Sequence, residues 1–112
     1  MPGPLTNPQR KFLRGLAHSL PPTMQLGKHG LTPNFFQSFE LALTNHELLK
    51  LRFANLQDER KELSAQICAR TGAIQVSMVG HTAIYYRPSP DDEKRKLVLP
   101  RAKPAEPNGR PD

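Results

Sequence analysis

Carboxylates are missing from the first third of this chain: through residue 39 there is no Asp or Glu, and the first acid is Glu40. The same stretch holds Arg10, Lys11, Arg14 and Lys28, so much of the net charge of +6 is concentrated at one end of the sequence. Charge of one sign gathered in this way is an electrostatic footprint for a polyanion. Cysteine is also scarce. Cys68 stands alone, which excludes an intramolecular disulfide and fits a reducing compartment. Its helical setting makes it a small buried hydrophobe. No apolar run approaches the roughly 20 residues that cross a bilayer, and MPGPLTNPQR lacks the apolar core of a secretory signal. The expectation is a cytoplasmic protein with no membrane partner. Its 112 residues, 37% of them hydrophobic, suit one domain with a small core.

Catalytic signatures are absent as well. His18, His29, His46 and His81 lack metal-ligand spacing, Cys68 has no nucleophile signature around it, and neither a P-loop nor a dinucleotide fingerprint is present. The chain reads as a non-enzyme without cofactor or metal.

Residues 1–6, with Pro2, Gly3 and Pro4, read as a flexible arm. Asn7 as cap and Pro8 as first residue open a helix whose Phe12, Leu13, Leu16, Ala17 and Leu20 make one apolar face. Arg10 and Arg14, four apart, share a side of it, and Pro21 and Pro22 end it. Thr23–Leu26 is a short strand. A second helix from Pro33 to about Asn45 carries three of the five phenylalanines, with Phe35, Phe39, Ala42 and Leu43 toward the core. ELLKLRF, residues 47–53, alternates: Leu49, Leu51 and Phe53 face one way, and Lys50 and Arg52 the other, with Leu48 on their side. A third helix runs from about Gln57 to Arg70, with acids near its start and Gly72 just past its end.

Ile74–Val79 and Thr82–Arg87 form a hairpin around Gly80 and His81, a glycine-first loop suited to a type II′ turn. That register places Val76 opposite Tyr85, Met78 opposite Ala83, Gln75 opposite Tyr86 and Ser77 opposite Ile84. One tyrosine then lies in the core, and Tyr86 is a partly buried edge aromatic. From Pro88 the composition turns to proline and mixed charge, which cannot bury a core. KLVLPR, residues 96–101, is the last segment able to add an edge strand, and residues 102–112 read as a disordered tail. The order is αβαβαββ: a single compact α/β domain over residues 7–101, with a four-stranded mixed sheet and three helices.

The most informative stretch is MQLGKHGLTP, residues 24–33. Gly27 and Gly30 permit positive φ and close backbone approach, with Lys28 and His29 between them. Thr32 and Pro33 then start a helix, whose free N–H groups and dipole favour an anion beside Lys28. A phosphate suits this place.

LGKHGLTP, NHELLKLRF and VSMVGHTAIYYRP, in this order and spacing, resemble the CRM domain (chloroplast RNA splicing and ribosome maturation), in form its bacterial single-domain version, the YhbY family. The likeness covers about residues 8–101. It implies a fold similar to the C-terminal domain of bacterial translation initiation factor three, with the GxxG loop on the RNA side. It also implies an association with precursors of the large ribosomal subunit. The family's loop falls on Gly27, Lys28, His29 and Gly30, its HEL stretch on His46, Glu47 and Leu48, and its YRP ending on Tyr86, Arg87 and Pro88. His29 departs from the Asn or Gly more often found there, but it donates a hydrogen bond and tolerates positive φ.

The expected function is therefore RNA binding in large-subunit assembly, with ribosomal RNA as partner and a monomer as the default state. Gly27, Lys28, His29 and Gly30 make the clamp, and Arg10, Arg14, Lys50, Arg52 and Arg87 a looser electrostatic set. The alternative is an adapter that docks a ribosomal protein or assembly enzyme through the acidic third helix or the tail.

Overall fold

The protein is described by a computed structural model over residues 5–88. Residues 1–4 of the arm, the KLVLPR segment and the tail lie outside the described residues. The elements are α1 (Asn7–His18), β1 (Met24–Leu26), α2 (Pro33–His46), β2 (Leu48–Phe53), one turn of 3-10 helix (Gln57–Glu59), α3 (Arg60–Thr71), β3 (Ile74–Val79) and β4 (Thr82–Tyr86). This is the αβαβαββ order that the hydrophobic periodicity predicts.

The starts of α1 and α2 are set by side-chain caps. Thr6, rather than Asn7, caps α1: its Oγ1 accepts from the Gln9 N–H at 3.2 Å, while Gln9 Oε1 accepts from the Thr6 N–H at 3.0 Å. This reciprocal box satisfies two donors where a lone Asn cap would satisfy one. Leu5 is buried under α1, so residues 5 and 6 belong to the domain and not to a loose arm. At α2, Thr32 Oγ1 accepts from the Phe35 N–H at 3.0 Å and Pro33 takes the first position, as expected.

The strand order is β1-β2-β4-β3, with β1 parallel to β2 and β4 antiparallel to both its neighbours. β3 thus runs parallel to β2 with β4 between them, and both strand–helix–strand crossovers step the same way across the sheet. Right-handed crossovers then put α2 and α3 on one face. The opposite face is left to α1. Accordingly Phe35, Phe39 and Leu43 of α2 and Ile67 of α3 pack with Leu49, Leu51, Phe53 and Tyr85, whereas Leu13 and Ala17 of α1 pack with Leu48, Val76, Ile84 and Tyr86. The alternation read in ELLKLRF holds. The apolar face of α1 is narrower than its sequence predicts: Leu16 and Leu20 stay 36% and 40% exposed. A lone helix on a sheet touches the strands along one stripe only.

The hairpin turns as expected. Gly80 has φ +59° and His81 stays out of the positive-φ region, which matches a type II′ loop. Ser77 pairs with Ile84 and Met78 with Ala83, but an irregularity between Gln75 and Ser77 moves the remaining pairs to Gln75–Tyr85 and Ile74–Tyr86. The expected Val76–Tyr85 and Gln75–Tyr86 pairs do not form, because a bulge inserts an unpaired residue. Both tyrosines are buried, on opposite faces. Tyr85 donates to Ser64 Oγ at 2.8 Å, and burial raises its phenol pKa well above the ordinary value. Tyr86, 3% exposed, offers no ring for stacking.

Candidate nucleic-acid interface

β1 ends at Leu26 and the chain turns at once. The Gly30 N–H donates to the Gly27 carbonyl at 3.1 Å, closing a four-residue turn with Lys28 and His29 exposed at its centre. The two glycines have different reasons to be there. Gly30 has φ +72°, and a Cβ on it would sit 3.3 Å from Leu56 Cδ1, so the fold itself asks for glycine. Gly27 does not use the positive φ that glycine permits, and a Cβ on it would meet nothing within 4 Å. The fold has no need of glycine at 27. A glycine there leaves exposed backbone open to an outside molecule.

Two other turns are laced to this one. The N–H groups of Ala54 and Asn55 donate to the Leu26 carbonyl at 3.1 and 3.2 Å, and the Phe53 N–H donates to the His81 carbonyl at 2.7 Å. Residues 27–30, 54–56 and 80–81 therefore gather at one end of the sheet. Beside them runs a row of register partners that crosses all four strands: Gln25, Arg52, Thr82 and Val79. Their strand neighbours Leu26, Leu51, Phe53, Ala83 and Met78 belong to the core under α2 and α3, so the row points to the α1 side. α1 does not reach it. Gln25 and Arg52 are exposed, Thr82 is half-buried and Val79 is 74% exposed.

Of the nine residues the sequence nominated, five meet at this end: Gly27, Lys28, His29, Gly30 and Arg52. Lys28 and Arg52 have no ion-pair or hydrogen-bond partner among the described residues. Arg14 is likewise unpartnered and exposed on the outer side of α1, where Lys11 and His18 share its stripe. Acids flank this end on the α3 side. Asp58 and Glu59 line a depression of about 280 Å³ that begins at Ala54, and they lead into α3, which packs on the opposite face of the sheet. Phosphate is repelled from that flank.

The other three nominated cations are engaged inside the fold. Arg10 does not share the solvent side of Arg14: its Nη1 donates to the carbonyls of Gln75 and Val76 at 2.8 and 2.9 Å. These are the carbonyls at the β3 bulge, on an edge strand with no neighbour to take them. Lys50 Nζ donates to the Ala17 and Leu20 carbonyls at 3.1 and 2.9 Å, closing the end of α1, where carbonyls lack helical partners and the dipole favours a cation. Arg87 donates from Nη1 to the Thr71 carbonyl at 2.6 Å and from Nη2 to Thr44 Oγ1 at 3.2 Å, and it pairs with Glu40 at 2.9 Å. It ties the ends of α2 and α3 to β4.

Sequence reasoning passed over Gln25, Thr82 and the Gly80–His81 turn as parts of this surface. The glycine-first loop was legible as a hairpin, but its place beside residues 27–30 follows from the β1-β2-β4 strand order, which no local pattern states. Among the described residues no group of three or more His, Cys, Asp or Glu is placed to hold a metal, and no helix is long and apolar enough to cross a membrane.

Against known proteins, the family model of the CRS1/YhbY (CRM) domain matches residues 5–87. A Haemophilus influenzae chain named "RNA-binding protein" is 43% identical over 98 residues, covering 87% of this chain and 96% of its own length. A Bacillus subtilis chain named "Probable RNA-binding protein YqeI" is 30% identical over 97 residues, covering 86% and 99%. Among solved structures, a Staphylococcus aureus protein studied in solution and described as a candidate RNA-binding protein superposes with a TM-score of 0.68 at 32% identity, over 85% of this chain and 100% of that one. None of these names is an enzyme's.

Proposed function

Because the chain belongs to the CRS1/YhbY (CRM) domain family, we propose that it binds RNA through the GKHG loop and acts in the cytoplasm as an assembly factor on ribosomal RNA in precursors of the large subunit. The observation that carries the RNA-binding part is Gly27. It is an exposed glycine that neither φ nor packing requires, beside Lys28, which has no partner among the described residues, just ahead of the capped start of α2. Such a loop clamps a nucleic-acid backbone through main-chain N–H groups while cations neutralise phosphates. Arg52 and Arg14 extend the field with side chains that have no partner among the described residues, whereas Arg10, Lys50 and Arg87 are hydrogen-bonded within the fold.

Two linked measurements test this reading. In direct titrations with single-stranded RNA, engagement of about four phosphates gives a slope of log affinity against log salt near −0.7 × 4, about −3. Lys28→Glu weakens binding about tenfold or more and makes the slope shallower, with an unchanged circular dichroism spectrum. In gradient sedimentation the wild type migrates with large-subunit precursors and is stripped by salt, whereas Lys28→Glu stays at the top. Binding that ignores salt contradicts the clamp. RNA binding without sedimentation contradicts the ribosomal target alone.

A further inference from the structure

We propose that the bare row Gln25–Arg52–Thr82 is a ribose-reading subsite of the same interface, which makes the protein prefer single-stranded RNA over DNA. The proposal rests on the RNA-clamp reading and adds what the clamp cannot supply, since main-chain N–H groups and lysine recognise phosphate, which RNA and DNA share.

The placement argues for it. Gln25 lies two residues before Gly27, on the strand that feeds the loop, so a strand of nucleic acid held at residues 27–30 and continuing across the sheet end runs along the row. With neighbouring strands about 4.8 Å apart, the four positions from Gln25 to Val79 span about 14 Å, room for more than one nucleotide. No described element covers them, although α1 covers the next rows on the same face, where Ile84 and Tyr86 are buried and Lys50 reaches the α1 carbonyls.

The chemistry of the row is specific. It holds no aromatic ring, so bases have nothing to stack on. It holds no carboxylate. It offers a Gln amide and a Thr hydroxyl, each both donor and acceptor, on either side of one guanidinium. A 2′-hydroxyl is itself both donor and acceptor, and it is the group that distinguishes the two nucleic acids. Arg52 takes the phosphate, and the neutral pair at its flanks takes the sugar. None of these side chains has a hydrogen-bond partner among the described residues that ligand binding would have to break.

The test compares a uracil oligoribonucleotide with its 2′-deoxy counterpart, identical in base and charge, by fluorescence anisotropy at fixed salt. The wild type prefers the ribose form. In Gln25→Ala/Thr82→Val the preference falls about tenfold, as expected for two lost hydrogen bonds, while affinity for the deoxy form and the salt slope stay as in wild type, because no charge has changed. Gln25→Ala alone gives part of the fall and leaves the partly buried Thr82 in place; thermal midpoints confirm that both variants fold. The proposal is overturned by a wild type that binds both oligomers equally, or by a double variant that keeps the preference or loses both oligomers alike. Should Lys28→Glu weaken both oligomers while the double variant changes nothing, the clamp stands and the row falls; a wild type that binds neither removes both.

Discussion

Among the described residues, the α1 face of the sheet has a covered end and a bare end, and β2 carries one cation into each. Lys50 and Arg52 are two residues apart, on the same side of the same strand and of the same charge. Lys50 is bonded to two carbonyls of α1 and its following turn, and Arg52 has no partner among the described residues. What separates them is where α1 stops. The family motifs divide in the same way. The HEL and YRP stretches meet at the covered end, where Leu48 is the register partner of Tyr86 and the Arg87 N–H donates to the Glu47 carbonyl at 3.0 Å. Glu47 is buried there with φ +63°, ending α2 rather than starting β2. A positive φ in a residue other than glycine persists where the surroundings over-determine it. These two motifs build the domain, and GKHG, at the other end, faces outward.

Variants can break that division. The largest effect is expected for Arg87→Ala, which leaves the Thr71 carbonyl and Glu40 without their cation. Hydrogen bonds to a charged group contribute about 1.5–3 kcal/mol each at best, and with Glu40 half in solvent we expect a loss of about 2 kcal/mol, a thermal midpoint lower by roughly 10 °C. RNA affinity of the folded protein should stay within about twofold of wild type; a large loss of affinity at full stability would return Arg87 to the interface.

The Lys50 and Arg52 pair sharpens the comparison. Lys50→Ala should cost about 1 kcal/mol in chemical denaturation and leave the salt slope of RNA binding unchanged. Arg52→Ala should leave stability within about 0.5 kcal/mol, weaken RNA binding about three- to fivefold and make the slope shallower by about 0.7. The reverse assignment of effects would overturn the account of this face.

The two loop glycines divide in the same way, with effects no larger than those of the Lys50 and Arg52 pair. Gly30→Ala meets a positive φ and the Leu56 methyl at 3.3 Å, and should destabilise by about 1 kcal/mol. Gly27→Ala meets neither. It should be neutral or stabilising by about 0.5 kcal/mol in the same denaturation series, because alanine has less unfolded-state entropy to lose, yet weaken RNA binding severalfold. Unchanged binding would mean that no partner approaches the backbone at 27.

Much of the fold was legible in sequence because it is locally encoded. Thr32–Pro33 starts a helix, Gly72 stops one, Gly80–His81 turns a hairpin, and the alternation of ELLKLRF assigns each residue to its face. The capping box of Thr6 and Gln9 was also present to be read; Pro8 drew the start one residue late. The bulge at Val76 had no local signal, since the strand pattern on either side of it is regular. The candidate site was half legible. Gly27, Lys28, His29 and Gly30 are contiguous, so their proximity needs no tertiary information. The five outlying cations could not be sorted, because a lysine or arginine on an amphipathic element looks the same whether its partner is a helix-end carbonyl or solvent.

By itself, then, the sequence determined the elements, their order, the sign of the charge and the loop that presents it, all of which depend on spacings of a few residues. Only the tertiary structure decided which cations remain available, that both tyrosines are buried, and that Gln25, Arg52 and Thr82, drawn from three strands, form one row beside the loop. Those outcomes depend on strand order and on the length of sheet that a twelve-residue helix can cover, and both are set by how the elements pack against one another.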